Sequence, residues 1–333
     1  MSPLATTVPS ASGAPFDQTG APVMRPATLR TFDGLDLSVQ RYGPEDADLT
    51  VVLVHCWTGD HRIWHRQVTD LLWEVGRRVQ VVTYDHRGHG ESDPAAREAC
   101  TIDHLATDLA KLIEEVAPSG QLILAGHSLG GMTIMALAEQ RPDLLMRLAG
   151  TVLVSTSAGS IDDVSLGLPS PAGKRLQDVL PYALAARSRT LTQAARRRNP
   201  LIETQVVRRI LFGTPARRED QALTITTLVN TPAASMTGFF EDIARRHDRY
   251  GALPSLAVAP VHVLVGENDK LTPRRHARRM AKLINGSRLT IIPGAGHMLP
   301  LERDDFVSES ILELVRAAHA APAATPVRLA IAR

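Results

Sequence analysis

Six short runs constrain this chain more than anything else in it: LTVVLVH (49–55), VQVVTYD (79–85), QLILAG (121–126), LAGTVLVST (148–156), VHVLVG (261–266) and LTIIPG (289–294). They are β-branched, too short for helices, and apolar without the alternation of a half-exposed sheet. That is the pattern of parallel strands buried on both faces. Between them lie stretches of helical period. DHRIWHRQVTDLLWEVG sets Ile63, Trp64, Val68, Leu71, Leu72 and Val75 on one face. TIDHLATDLAKLIEEVAPSG repeats the scheme with Thr101 as cap and Pro118 as stop. GGMTIMALAEQRP and the closing DDFVSESILELVRAAH supply two more helices. Strand and helix alternating on this scale predict an α/β fold, a mostly parallel sheet flanked by helices. An earlier pair of short strands is expected around the turn Asp33-Gly34.

The alternation breaks once. Residues 156–254 are rich in Arg, Thr, Ala and Leu, with helical stretches and no buried-strand run, so they read as a helical cap inserted between two halves of one sheet. The expected organisation is a flexible tail at 1–26, a core at 27–155 and 255–319, the cap at 156–254, and a Pro/Ala-rich tail at 320–333.

Composition narrows the function. A formal charge of +2 and 4% aromatic residues leave neither the field nor the stacking platforms of a nucleic-acid binder. Cys56 and Cys100 stand alone, without CxxC spacing, so neither a disulfide framework nor a zinc site is expected, and a reducing cytoplasm fits. The first 26 residues lack a basic n-region and an apolar h-region, and no run reaches the length of a membrane span.

The third buried run ends in GHSLG, where Ser128 sits at a sharp turn from strand to helix. Such a turn crowds the backbone two residues to either side, and Gly126 and Gly130 carry no Cβ to clash. Ser128 is then either a helix cap or a nucleophile lifted to the carboxyl edge of the sheet. A serine hydroxyl needs a base, and the base an orienting acid. Asp269 follows VHVLVG closely and His297 follows LTIIPGAG directly, so both stand at carboxyl ends of predicted strands, in the order Ser, Asp, His. Glu267 is the rival acid, one step nearer its strand and expected to point away from His297.

Taken together, VLVHCWTGD, YDHRGHGESD, GHSLGG, VGENDKLTP and PGAGHMLPLE, spread from residue 51 to 302, resemble the α/β-hydrolase superfamily, in particular its small esterase and lipase branch. The resemblance implies the α/β-hydrolase fold, a catalytic triad of Ser128, Asp269 and His297, and a small to medium, partly apolar acyl substrate; no cofactor is expected, and HRGH lacks the i, i+4 spacing of a zincin, so no metal is expected. It implies an oxyanion hole from the backbone N–H groups of Leu129 and Trp57. The chain departs from the family where His-Gly is usual and His55-Cys56 stands instead. A side chain at Cys56 restricts that loop and bears on where the Trp57 N–H points. His55 and His89 are expected as loop-packing imidazoles bonded to backbone.

Met236, Phe239 and Phe240 recur at helical spacing in a region that often roofs the pocket in this family; pocket lining and core packing are both open for them. Cys56 and Met298 are the other pocket candidates. From Lys174 to Arg249 fourteen basic side chains face seven acids, which reads as a solvated helical face or as attraction for an anionic substrate or surface. The expected activity is a serine hydrolase acting on a carboxylic ester. Thioester, lactone or carbon–carbon bond hydrolysis and perhydrolase chemistry are the alternatives on the same triad. A non-hydrolytic binding protein or cyclase is the alternative from another class.

Overall fold

The computed structural model describes residues 15–159, 172–213 and 215–320. The outer parts of both expected tails, residues 160–171 of the insertion, and residue 214 lie outside them.

Eight strands form one sheet: β1 (Met24–Arg30), β2 (Asp36–Tyr42), β3 (Leu49–Val54), β4 (Gln80–Tyr84), β5 (Gln121–His127), β6 (Leu148–Val154), β7 (Val261–Gly266) and β8 (Arg288–Ile292). Their order is β1-β2-β4-β3-β5-β6-β7-β8. β1 and β2 make an antiparallel hairpin, Arg30 opposite Asp36, and β2 joins β4 antiparallel. From β4 to β8 every pairing is parallel. All residues of β3, β4 and β7 are buried, as their unbroken apolar runs require, whereas β1 at the sheet edge alternates.

Helices cover both faces. α1 (His65–Val75) and the closing α12 (Asp304–Ala320) touch each other and pack on one face through residues such as Leu71, Leu72, Ile311 and Leu314. α2 (Ile102–Val116) and α3 (Leu129–Gln140) cover the other face through Leu105, Leu109, Ile134 and Leu137, with α4 (Pro142–Leu145) following. Thr101 caps α2 as expected, its Oγ1 accepting the N–H of His104 at 3.2 Å. Each fully buried Leu or Ile in these layers contributes about 1.5–3 kcal/mol over its exposed state.

One expected boundary is corrected. Residues 15–26, assigned by composition to a tail, are in place: Phe16 bridges Pro22, its ring meets Trp73 edge-on at 5.7 Å, and β1 opens at Met24. The strand starts early because Met24, Arg25 and Pro26 pair with Tyr42, Arg41 and Gln40 of β2, a long-range registry that local composition does not encode.

Between β6 and β7 the described chain is helical: α5 (Ala172–Thr190), α6 (Gln193–Arg198), α7 (Leu201–Val206) running into a π-turn at Val207–Leu211, α8 (Arg218–Asn230) and α9 (Ala233–Arg245). Two clamps fix this segment to the core. Asp242 on α9 accepts the N–H of Ile102 at 2.8 Å, a carboxylate at the positive end of α2. On the other side Arg66 of α1 meets Asp220 at 2.8 Å, and Arg217 meets Asp304 of α12 at 2.9 Å. Beyond β7, α10 (Arg274–Leu283) leads to β8, and α11 (Leu299–Glu302) to α12.

Candidate active site

Ser128 occupies the turn from β5 into α3 with φ 54° and ψ −111°. It is one of three non-glycine residues with positive φ among those described; Thr58 after β3 and Ser155 after β6 are the others. All three stand at carboxyl ends of neighbouring central strands, so the strained backbone gathers at one edge of the sheet. The turn needs its glycines: a Cβ on Gly126 would lie 2.5 Å from the Gly130 carbonyl carbon, and one on Gly130 would lie 2.1 Å from the Val54 oxygen. Thr156 holds the turn from the side, its hydroxyl donating to the Ser128 carbonyl at 2.7 Å.

Asp269 lies three residues past β7. Its Oδ2 is 2.9 Å from Nδ1 of His297 and accepts the Thr272 hydroxyl at 2.7 Å. Its Oδ1 accepts the N–H groups of Leu271 and Thr272, each at 2.9 Å. Burial by itself raises this carboxyl's pKa. The His297 charge and hydrogen bond outweigh burial, with the Thr272 N–H and hydroxyl adding to them, and hold it at about 2. The carboxylate fixes the ring's Nδ1 as donor and leaves Nε2 as the basic nitrogen. Glu267 does not compete: it accepts the Gly294 N–H at 3.2 Å and faces Arg274 at 3.5 Å.

Ser128 and His297 line one cavity of about 100 Å³. Among the hydrogen bonds of the described residues none joins Ser128 Oγ to the ring; the two residues border the same cavity. None of those bonds uses the N–H of Leu129 or of Trp57 either. Both amides belong to residues bordering Ser128 and the cavity.

The His55-Cys56 departure has a local explanation. The residue of the β3 loop with positive φ is Thr58, not Cys56, so position 56 demands no glycine. The Cys56 side chain lines the cavity beside Gly59, where an added Cβ would lie 2.8 Å from its sulfur. Burial pushes its thiol up to about 12, which removes the thiolate a second nucleophile would need.

Three buried histidines brace this loop. His55 contacts the Cys56 carbonyl with Nδ1 and accepts the His86 N–H at Nε2, 2.9 Å away; His89 Nε2 accepts the Thr58 N–H at 3.2 Å. Burial lowers all three pKa values, that of His89 to about 3, so they stay neutral. Arg87 in the same motif is fully buried between Asp108 and Asp33, with bonds of 2.7 Å to each. Asp60, His61 and Asp85 lie close enough to hold a metal, but Asp85 already accepts the N–H groups of His61 and Glu91 and contacts the His61 ring. Those contacts describe a loop anchor.

Of the pocket candidates, Cys56, Met236, Phe240 and Met298 line the cavity. Phe239 does not. It is fully buried, with its ring 5.4 Å from His89, because successive positions on α9 turn by about 100° and carry it past the cavity to the core side. Much of the remaining wall is apolar and comes from the inserted segment, including Leu180, Leu184, Leu228 and Ile210, with Gln177, Thr224 and Thr227 adding polar atoms.

Two residues given no role from sequence shape the site. Thr272 orients Asp269, and the only sequence signal is a Thr three places after an Asp, common in ordinary turns. Glu302 accepts the N–H groups of Gly213 at 2.7 Å, Gly296 at 2.9 Å and Met298 at 2.9 Å. It thereby ties the His297 loop to the end of the π-turn, where the Leu211 carbonyl accepts the His297 N–H at 2.7 Å. Nothing in MLPLE distinguishes it from an exposed helix-terminal acid.

An eight-stranded, mostly parallel sheet with a serine at a strained strand-to-helix turn and an Asp–His pair at neighbouring strand ends is the layout of a hydrolase fold. The chain belongs to the alpha/beta hydrolase family, whose model matches residues 51–309. Lipase LipV of Mycobacterium tuberculosis is 38% identical over 152 residues, 46% of this chain and 49% of the relative, so the chain spans about half the length of that protein. An sn-1-specific diacylglycerol lipase of Mus musculus is 24% identical over 275 residues, 80% of this chain and 82% of the relative. Among solved structures, a thermophilic esterase from Thermogutta terrifontis superposes with a TM-score of 0.69 at 27% identity, covering 89% of this chain and 99% of that one.

Proposed function

We infer that the protein hydrolyses carboxylic esters through an acyl-enzyme intermediate. The observation that carries this reading is the Asp269–His297 pair at 2.9 Å sharing a cavity with Ser128 at its strained turn. In this reading His297 Nε2 takes the Ser128 proton as Oγ attacks the substrate carbonyl, and Asp269 stabilises the imidazolium. The Leu129 and Trp57 N–H groups receive the oxyanion. His297 then returns the proton to the departing alcohol. Water, deprotonated by the same ring, attacks the acyl-Ser128 carbonyl and releases the acid.

The apolar wall supports an acyl or alcohol group without charge next to the scissile bond, and the helices between β6 and β7 act as the cap that excludes water from it. That family relatives and structural neighbours are named lipases and esterases favours esters over the other acyl bonds the scaffold can host. The test is a stopped-flow assay with a 4-nitrophenyl ester of a short fatty acid. A burst of nitrophenol equal to the enzyme concentration, absent in Ser128→Ala, supports the reading. Turnover undiminished in Ser128→Ala removes it.

A further inference from the structure

A second and larger hollow, about 1040 Å³ and open to solvent, adjoins the cavity over Ser128. The two share Leu180, Val206 and Ile210, so little more than those side chains separates them. Its apolar wall continues outward to Leu201 and Ile202, which are 65% and 45% exposed.

The polar part of the hollow is one-sided. Arg208 and Arg209 stand on the π-turn, exposed, and neither makes an ion pair with any described residue. The wider turn sets them beside Ile210 and Leu211, which line the inner cavity. The two carboxylates there are committed, and Lys270 is a third cation with no ion pair among the described residues. Lys270 donates to the Arg209 carbonyl, Glu267 faces Arg274, and the oxygens of Asp269 are taken by His297, Leu271 and Thr272. The basic surplus of the inserted segment is elsewhere partly neutralised, as by Arg187 with Glu203 and Arg249 with Glu139. Within this hollow it is not.

We propose that the hollow binds the far end of the substrate, and that the preferred esters carry an anionic group, carboxylate or phosphate, at the end of an apolar arm several carbons from the scissile carbonyl. The arm runs from the inner cavity past Leu180, Val206 and Ile210, and the anion meets Arg208 and Arg209. This rests on the ester-hydrolase reading and names its substrate class.

The test compares matched 4-nitrophenyl esters: the mono-ester of octanedioic acid, its methyl-capped neutral counterpart, and an acyl chain of equal length ending in phosphate. The readout is the ratio of kcat/KM, charged over neutral, which cancels any general loss of activity. The wild-type chain favours the charged esters, and the double variant Arg208→Gln/Arg209→Gln lowers the ratio about tenfold, the size expected for two partly exposed ion contacts. Added salt erodes the wild-type preference. Arg278→Gln, which removes a charge on α10 outside the hollow, leaves the ratio unchanged. The carboxylate and phosphate arms decide which anion is favoured.

An unchanged ratio in the double variant, or a wild-type preference for the neutral ester, overturns the proposal. If no ester is cleaved, the hydrolase reading fails by itself, and calorimetric binding of monomethyl octanedioate decides the hollow separately. Binding weakened in the double variant supports the anion site, and equal binding overturns it.

Discussion

Gly213 and Glu302 are joined by a 2.7 Å hydrogen bond from the glycine N–H to Oε2, and the same oxygen accepts the N–H of Gly296. The end of the π-turn and the loop carrying His297 are therefore held by a single buried carboxylate. Burial raises the pKa of Glu302 against the pull of its three donors. Glu302→Gln places an amide N–H₂ where an acceptor is needed, leaving a buried N–H unsatisfied. A loss of about 1–3 kcal/mol is expected, with a lower kcat, checked by urea unfolding and ester assay. Unchanged stability and rate contradict the role.

Backbone contact at the same junction makes a sharper prediction. A Cβ on Gly296 would fall 2.3 Å from the Gly213 nitrogen and 2.6 Å from the Phe212 carbonyl carbon. Gly296→Ala forces two backbone segments apart, so it is expected to displace the His297 loop, with kcat/KM down at least about tenfold, as misplacement near the reacting atoms costs. Wild-type kinetics in this variant contradict the packing described.

Thr272→Val removes one hydroxyl at nearly constant volume. Asp269 keeps its two N–H donors and the ring but loses the 2.7 Å bond at Oδ2. kcat is expected to fall about tenfold, the worth of one buried hydrogen bond to a charge, with KM little changed. An unchanged kcat in a steady-state ester assay contradicts the role given to Thr272.

The depressed pKa of Asp269 ties stability to acid. Its usual value is 3.8 and its folded value about 2. The group's contribution is fully present above 3.8 and is lost as pH falls through about 2. Asp269→Asn is expected to flatten that part of the unfolding profile between pH 4 and 2, and to lower turnover at neutral pH by about 10⁴, from loss of ring orientation. Guanidine midpoints across that range and a steady-state assay check both.

Much of this arrangement was legible from residue order. Strands β3, β4 and β7 announce themselves because burial on both faces admits little but Val, Ile and Leu, and Ser128, Asp269 and His297 stand at strand ends. What stayed hidden depends on distant partners. β1 begins at Met24 because β2 offers it a ladder, Phe239 turns from the cavity toward His89, and Glu302 joins the distant Gly213 to its own neighbouring loop. Cys56 departs from the family pattern, and what residue order does not reveal is that the positive φ of its loop falls at Thr58.

The central claim is that Ser128 is made nucleophilic by His297. A fluorophosphonate reacted with the intact protein and located by peptide mass spectrometry tests it most directly. One label per chain on Ser128, lost in Ser128→Ala and strongly slowed in His297→Ala, is the predicted result. Labelling of another residue, or Ser128 labelling at the same rate without the imidazole, contradicts it.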